Sequence, residues 1–177
     1  MGLIKSLRLV PFLGILGGIV MFAVFESCHV SYSFTGASIS PDIKTFTVDY
    51  FPNRAPIVYP NLSQSLQESL QEKLTRQTSM DYVQANGDLQ FSGQITGYST
   101  RPMNVQEGDY AAQTRLTVTV KVKFVNNKNH DADWEKSFSA YQDFDSTKQL
   151  ADVEDDLVTE IVDELSDDIF NASIANW

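Results

Sequence analysis

The chain has 177 residues, 42% of them hydrophobic, with a formal net charge of −10, which is enough material for one domain built around a single sizeable core. Its one cysteine excludes an internal disulfide and, with only two histidines beside it, a Cys/His metal site. The acidic balance argues against nucleic acid as a partner and against electrostatic docking on an anionic lipid surface, because both would be repelled at long range.

Residues 1–27 differ in composition from the rest. Lys5 and Arg8 come first, followed by an apolar run from Leu9 to Phe25 broken only by Pro11, Gly14, Gly17 and Gly18. The run is shorter than the ~20 residues a membrane span needs, so it reads as a cleaved signal peptide. Ser27 and then Cys28 follow at once. Leader, small residue and cysteine resemble the lipobox of bacterial lipoproteins, in which the cysteine is acylated and becomes the first mature residue. Phe25 stands where leucine is usual, and Glu26 where a small or apolar residue is usual. An uncleaved anchor, or an ordinary secretory signal with a chance cysteine, is the alternative. Without residues 1–27, which carry Lys5, Arg8 and Glu26, the chain has 11 basic and 22 acidic side chains, a net of −11. Any anionic ligand must then meet a local concentration of positive charge.

Residues 28–41, rich in serine, read as a lipidated tether, and residues 42–177 as the folded domain. From Lys44 to Phe51 the chain alternates, with Phe46, Val48 and Tyr50 opposite Thr45, Thr47 and Asp49, the period of a half-buried strand that Pro52 ends. Asn61 with Gln64 is a helix-start signature before Leu62, Leu66, Leu70 and Leu74, a narrow apolar stripe on an otherwise polar helix. Residues 80–84 suggest a short edge strand, and Asn86-Gly87-Asp88 a turn.

Three longer strands follow. In 89–101, Leu89, Phe91 and Ile95 share a face with Gly93 and Gly97. In 115–125, Leu116, Val118, Val120, Val122 and Phe124 oppose Thr117, Thr119, Lys121 and Lys123. In 134–144, Trp134, Phe138 and Ala140 oppose Glu135, Ser137, Ser139 and Tyr141. A final helix begins at a capping box of Ser146 and Gln149. Its stripe is Leu150, Val153, Leu157, Ile161, Leu165 and Ile169, widened by Val158 and Val162. The sum is an α+β two-layer sandwich: two amphipathic helices on one face of a mainly antiparallel sheet of about four strands. The other face is left to Ser, Thr and Gln with a few cations. It reads either as a wet sheet face, common in antiparallel sheets, or as a surface for a polar partner.

The sequence offers no catalytic constellation. His29 adjoins the cysteine and His130 lies in a polar turn, so neither is placed to activate a nucleophile, and the glycines are too scattered for a phosphate loop. Asp143 and Asp145 are the one carboxylate pair worth weighing for a hydrolase of cell-wall glycans, and they lack a pocket signature. The last helix carries a smeared acidic face from Asp152 to Asp168, a solvated face or a surface for a basic partner, unsuited to calcium. Neither a metal nor a cofactor is expected. Basic residues are sparse, and their grouping is therefore informative: Arg101 closes one strand, Arg115 opens the next, and Lys121 and Lys123 continue along its polar side. A hairpin through Pro102 to Tyr110 makes the two arginines neighbours, a fork suited to phosphate. Solubility and cross-strand pairing with Glu107, Asp109 or Glu135 are the plainer account.

The stretches YSFTGASISPDIKTFTVDYFPN, GDLQFSGQITGYS, TRLTVTVKVKF and VEDDLVTEIVDELSDDIFNASIANW resemble, in content and order, the lipopolysaccharide-assembly lipoprotein family LptE in its Bacteroidetes form. The resemblance runs from Cys28 to the C-terminus. It implies two helices on a four-stranded sheet, no enzymatic activity, and a lipoprotein on the periplasmic face of the outer membrane. The family sits inside the lumen of the LptD β-barrel and helps place lipopolysaccharide in the outer leaflet. A polar sheet face suits such a lumen. A periplasmic scaffold or lipid carrier that never enters a barrel is the alternative.

Overall fold

A computed structural model describes residues 40–57, 59–103 and 112–174, all of them within one compact unit. In chain order the elements are β1 (Thr45–Val48), α1 (Leu62–Gln77), β2 (Asp81–Tyr82), β3 (Leu89–Pro102), β4 (Gln113–Asn126), a 3-10 turn (His130–Ala132), β5 (Trp134–Asp145) and α2 (Leu150–Ser173). The strands form one sheet in the order β2-β1-β3-β4-β5. β3/β4 and β4/β5 are antiparallel, while β1 lies parallel to both β2 and β3. The fold is the expected α+β sandwich with five strands, one more than the sequence suggests.

The apolar stripes meet where the periodicities place them. Leu62, Leu66, Leu70 and Leu74 of α1, Ile161, Leu165 and Ile169 of α2, and Phe91, Ile95, Leu116, Val118, Val120 and Val122 of the sheet are all fully buried. Phe91, Phe124 and Trp134 form an aromatic run across three strands, with centroids 5.2 and 5.4 Å apart. Burying one such large apolar side chain contributes roughly 1.5–3 kcal/mol, so this layer supplies most of the cohesion between helices and sheet.

Two faces differ from the simple alternation. β1 stops before Tyr50, which is 60% exposed, and Phe51 is buried in its place. The chain leaves the sheet after Asp49 donates to the carbonyl of Phe91 and rejoins β3 where Ile95 donates to the Pro52 carbonyl. Phe51 then packs over Gly93, where an added Cβ would come within 2.9 Å of its ring. In β3 the register slips between Ile95 and Gly97. This bulge at Thr96 reverses the alternation, so Tyr98 enters the core and Gly97 lies over Thr119 on the open face.

α1 begins after Asn61 as expected, but α2 begins at Leu150, after Gln149 and three residues beyond the start that a cap at Ser146 implies, and the expected caps do not form. Neither Asn61 nor Gln149 makes a side-chain cap. Gln64 bonds to Glu68 and Ser146 to Thr114 instead. The acidic face of α2 is only partly idle. Tyr59 donates to Asp155 and Tyr98 to Glu154, the two rings stacking at 6.4 Å, and Lys73 of α1 bridges to Asp167. These contacts tie the second helix to the first and to the loop after β1.

Candidate functional site

The surface not covered by helices is the open face of β3, β4 and β5, where the register sets side chains in rows. Arg101, Arg115 and Asp143 form the first row; Ser99, Thr117 and Tyr141 the second; Gly97, Thr119 and Ser139 the third. Gln94, Lys121 and Ser137 come next, then Ser92, Lys123 and Glu135. Arg101 reaches this face only because of the bulge; with unbroken alternation it would share the side of Phe91.

The four basic side chains singled out from sequence are all on this face, but they are not equivalent. Arg115 Nε and Nη2 donate to the two carboxylate oxygens of Asp143 at 2.7 and 2.8 Å. The guanidinium also lies 3.6 Å from the centre of the Tyr141 ring, a planar stacking arrangement that lysine could not reproduce. The bidentate bonds hold the Asp143 carboxyl below the usual carboxylate range and push Arg115 up. Lys121 is paired with Glu135, which its ammonium holds below the ordinary range. Among the described residues, neither Arg101 nor Lys123 has an ion-pair partner. Arg101 and Arg115 face each other directly, a like-charge pairing that destabilises a sheet unless something offsets it. On one flank Asp143 does so.

Between these cations the face is flat and hydroxylic. Thr119 and Ser139 share a hydrogen bond of 3.0 Å, and Thr96 and Ser139 donate to backbone carbonyls of β4. A shallow depression of about 270 Å³ lies over Ser92, Gly93, Gln94, Lys121, Lys123 and Glu135. Ser92, Gln94, Lys121, Lys123 and Glu135 form its rim, and Gly93, whose own open side faces Phe51 in the core, contributes only backbone.

Asp143 and Asp145, the carboxylate pair weighed from the sequence, are each engaged by a neighbouring residue. Asp143 is engaged by Arg115, and Asp145 accepts from the N–H and hydroxyl of Thr147. Both carboxyls are held below the usual range, by the Arg115 bonds and by the Thr147 N–H respectively. Neither therefore carries a proton to donate near neutral pH. The roles of Asp143 and Tyr141 as partners of Arg115 were not foreseen, although the turn between β4 and β5 contained the signal: pairing Phe124 with Trp134 sets Arg115 opposite Asp143. Cys28, His29, Glu107 and Asp109 lie outside the described residues.

Residues 43–173 match the family model LptE, described as lipopolysaccharide-assembly. Similar solved structures include a hypothetical protein from Chlamydia trachomatis, 9% identical, covering 76% of this chain and 99% of that one with a TM-score of 0.51. They also include a minor lipoprotein from Acinetobacter baumannii, 14% identical, covering 72% and 89% with a TM-score of 0.47. Rare lipoprotein B from Shewanella oneidensis is 14% identical and covers 73% and 92%, also with a TM-score of 0.47. No curated protein matches. The Chlamydia structure shares the fold; the family match spans most of the chain, helices and sheet together. The chain belongs to the LptE family of lipopolysaccharide-assembly proteins.

Proposed function

We propose that this protein is a lipoprotein, acylated at Cys28 and held on the periplasmic face of the outer membrane, that seats its domain in the lumen of an LptD-like β-barrel and assists the placement of lipopolysaccharide. It works by binding, without catalysis. The observation that carries the proposal is the open sheet face: polar, flat and locally cationic on a domain of net negative charge. Such a face suits the polar lining of a barrel lumen and the phosphates of a glycolipid. The layout adds support. Phe46 of β1 pairs with Leu89 at the start of β3, whereas Arg101 lies twelve residues further along β3, roughly 40 Å at the rise of an extended strand. The chain therefore enters the fold at one end and presents its arginines at the other.

Within the face, Arg101 and Lys123 are assigned the direct contacts with phosphate or acidic groups. Arg115 and Lys121, already paired, shape the surface and lend charge at longer range. Replacing Cys28 with Ser should release the protein from membranes into the soluble periplasmic fraction, and the wild-type protein should co-purify with a large β-barrel from detergent. A wild-type protein that stays alone in detergent would instead favour a periplasmic scaffold or lipid carrier. The ligand assignment is tested by titrating lipopolysaccharide into wild type and into the double variant Arg101→Ala, Lys123→Ala at two salt concentrations. Weaker binding and a smaller salt dependence are expected, and identical curves would reduce these cations to a solubility role.

A further inference from the structure

We infer, resting on the glycolipid-binding reading above, that the middle of the open face beside Tyr141 is a subsite for a sugar ring whose phosphate lies at Arg101. Tyr141 is 46% exposed. A phenol ring has two faces, and the Arg115 guanidinium, 3.6 Å from the centroid, covers one of them. That guanidinium lies against Asp143, one row nearer the β3–β4 hairpin than Tyr141. The other face of the ring therefore turns away from the hairpin. It looks towards the row of Gly97, Thr119 and Ser139, roughly 7 Å on at the rise of an extended strand. Gly97 has no side chain and its two neighbours have short ones, so the ring stands as a wall beside a shallow floor.

The hydrogen bonds of this floor specify what fits it. Ser139 donates its hydroxyl hydrogen to the Val118 carbonyl, and Thr96 donates its own to the carbonyl of Thr119. Thr119 is then the donor in the bond it shares with Ser139. A hydroxyl has one hydrogen and two lone pairs, so these three have spent their hydrogens and offer only acceptors. Acceptors take O–H donors and repel phosphate oxygens. A pyranose meets both demands: hydroxyls around its rim reach the floor, and the C–H groups on one side of the ring lie against the electron-rich face of the phenol. The ion-paired Glu135 and Asp143 have no part in this contact. Arg101 supplies the charge complement. Among the described residues it has no ion-pair partner, and only Ser99 and Thr117 stand between it and the floor along β3 and β4. Both are too short to block the way. One molecule thus reaches both places: a phosphosugar with its ring against Tyr141 and its phosphate turned towards the hairpin.

The test uses the full-length protein in detergent and two probes, deacylated lipopolysaccharide with its phosphates and the same saccharide after dephosphorylation. Both should bind in calorimetry, the phosphate-free one more weakly and with no salt dependence, and it should shift the amide resonances of Thr119, Ser139 and Tyr141. Tyr141→Leu should weaken both probes about tenfold, whereas Tyr141→Phe, which keeps the ring, should stay within about twofold of wild type. Thr119→Val with Ser139→Ala removes the acceptors at nearly constant shape and should also weaken both, which guards against a folding defect in any one variant. Wild-type affinity in Tyr141→Leu, or binding of the phosphorylated probe alone, would overturn the subsite and leave the phosphate contacts standing. Binding of neither probe would overturn the subsite, with the phosphate contacts judged separately by the titration of Arg101→Ala, Lys123→Ala. Self-association of the protein that Tyr141→Leu abolishes would also overturn it, making this face an interface between copies.

Discussion

Asp88 ties the start of β1 to the turn before β3, and its removal is the sharpest test of how this end of the domain is held. One carboxylate oxygen accepts from the N–H of Lys44 at 2.9 Å, the N–H of Thr45 at 3.1 Å and the hydroxyl of Thr45 at 3.1 Å. The other faces Lys128 at 2.9 Å. The Thr45 hydroxyl in turn accepts the Asp88 N–H. A hydrogen bond to a charged group contributes ~1.5–3 kcal/mol where it is desolvated, and an exposed ion pair ~0.2–1 kcal/mol. Three donors share one oxygen, and the side chain is 18% exposed, so the terms do not add in full. Asp88→Ala should cost about 3 kcal/mol, a large part of the ~5–15 kcal/mol that holds a domain together. Asp88→Asn, which keeps an acceptor but not the charge, should cost roughly half as much. The N–H bond from Lys44, joined by the Lys128 pair, holds the Asp88 carboxyl well below the usual carboxylate range. Its stabilisation is thus complete above the unfolded value of ~3.9 and is lost as pH falls towards the folded value. Urea unfolding followed by far-UV circular dichroism should give a constant difference between wild type and Asp88→Ala from pH 8 to 5, shrinking below pH ~4. An unchanged midpoint at pH 7, or a difference as large at pH 3 as at pH 7, would refute the reasoning.

Four other outcomes are expected. Gly93→Ala sets a methyl group 2.2 Å from the Lys121 carbonyl and should destabilise by ~1–3 kcal/mol or more, measurable as a lowered Tm. Ile161→Asp buries a charge at a fully covered position and should cost several kcal/mol, of order the cost of an unpaired buried polar group, whereas Asp156→Asn on the exposed face should be nearly silent in the same melt. Arg115→Ala should lower the Tm because Asp143 loses its bidentate partner, while Arg101→Ala should leave it unchanged or raise it by removing a like charge; the opposite order would mean that Arg101 is the structural member. Burial, with the bond to Glu154, raises the Tyr98 phenol above its ordinary value. Its contribution is therefore full below the unfolded value of ~10 and lost as pH rises through the folded one, so Tyr98→Phe should flatten the alkaline fall in stability.

Much of the fold was legible because its periodicities are clean. The five apolar positions of β4 from Leu116 to Phe124 are all buried, and the leucines of α1 and the stripe of α2 fall on the helix faces assigned to them. What escaped was set by contacts between segments. The parallel placement of β1 between β2 and β3 leaves little local trace, since a four-residue strand reads the same whichever way its neighbours run. The helix caps failed for a similar reason. Ser146 and Gln64 have hydroxyl and amide groups that serve a cap equally well as a tertiary contact, and the structure uses them for Thr114 and Glu68.

The candidate site shows why composition located the cations and could not rank them. Alternation counted from Phe91 would place Arg101 on the helix side of β3, where an unpaired guanidinium is costly to bury. One extra residue at the Ile95–Gly97 bulge avoids that cost and brings Arg101 opposite Arg115 on the open face. The pairing of β4 with β5 then decides the rest. Arg115 falls opposite Asp143 and beside Tyr141, and is engaged by both. Lys121 finds Glu135 by a diagonal reach across the same strand pair. Arg101 has no ion-pair partner among the described residues, whereas Lys123 makes no salt bridge but stands opposite Glu135, and its charge helps to hold the Glu135 and Asp133 carboxyls down. Arg101 is therefore the member of its row whose charge has least to give up when an anion arrives, and Lys123 gives up less than Lys121, which holds the Glu135 salt bridge. An anion binding at Arg115 must compete with a bidentate carboxylate, whereas one binding at Arg101 relieves a repulsion already built into the sheet. The order of ligand contribution, Arg101 and Lys123 before Arg115 and Lys121, thus follows from strand register and one bulge.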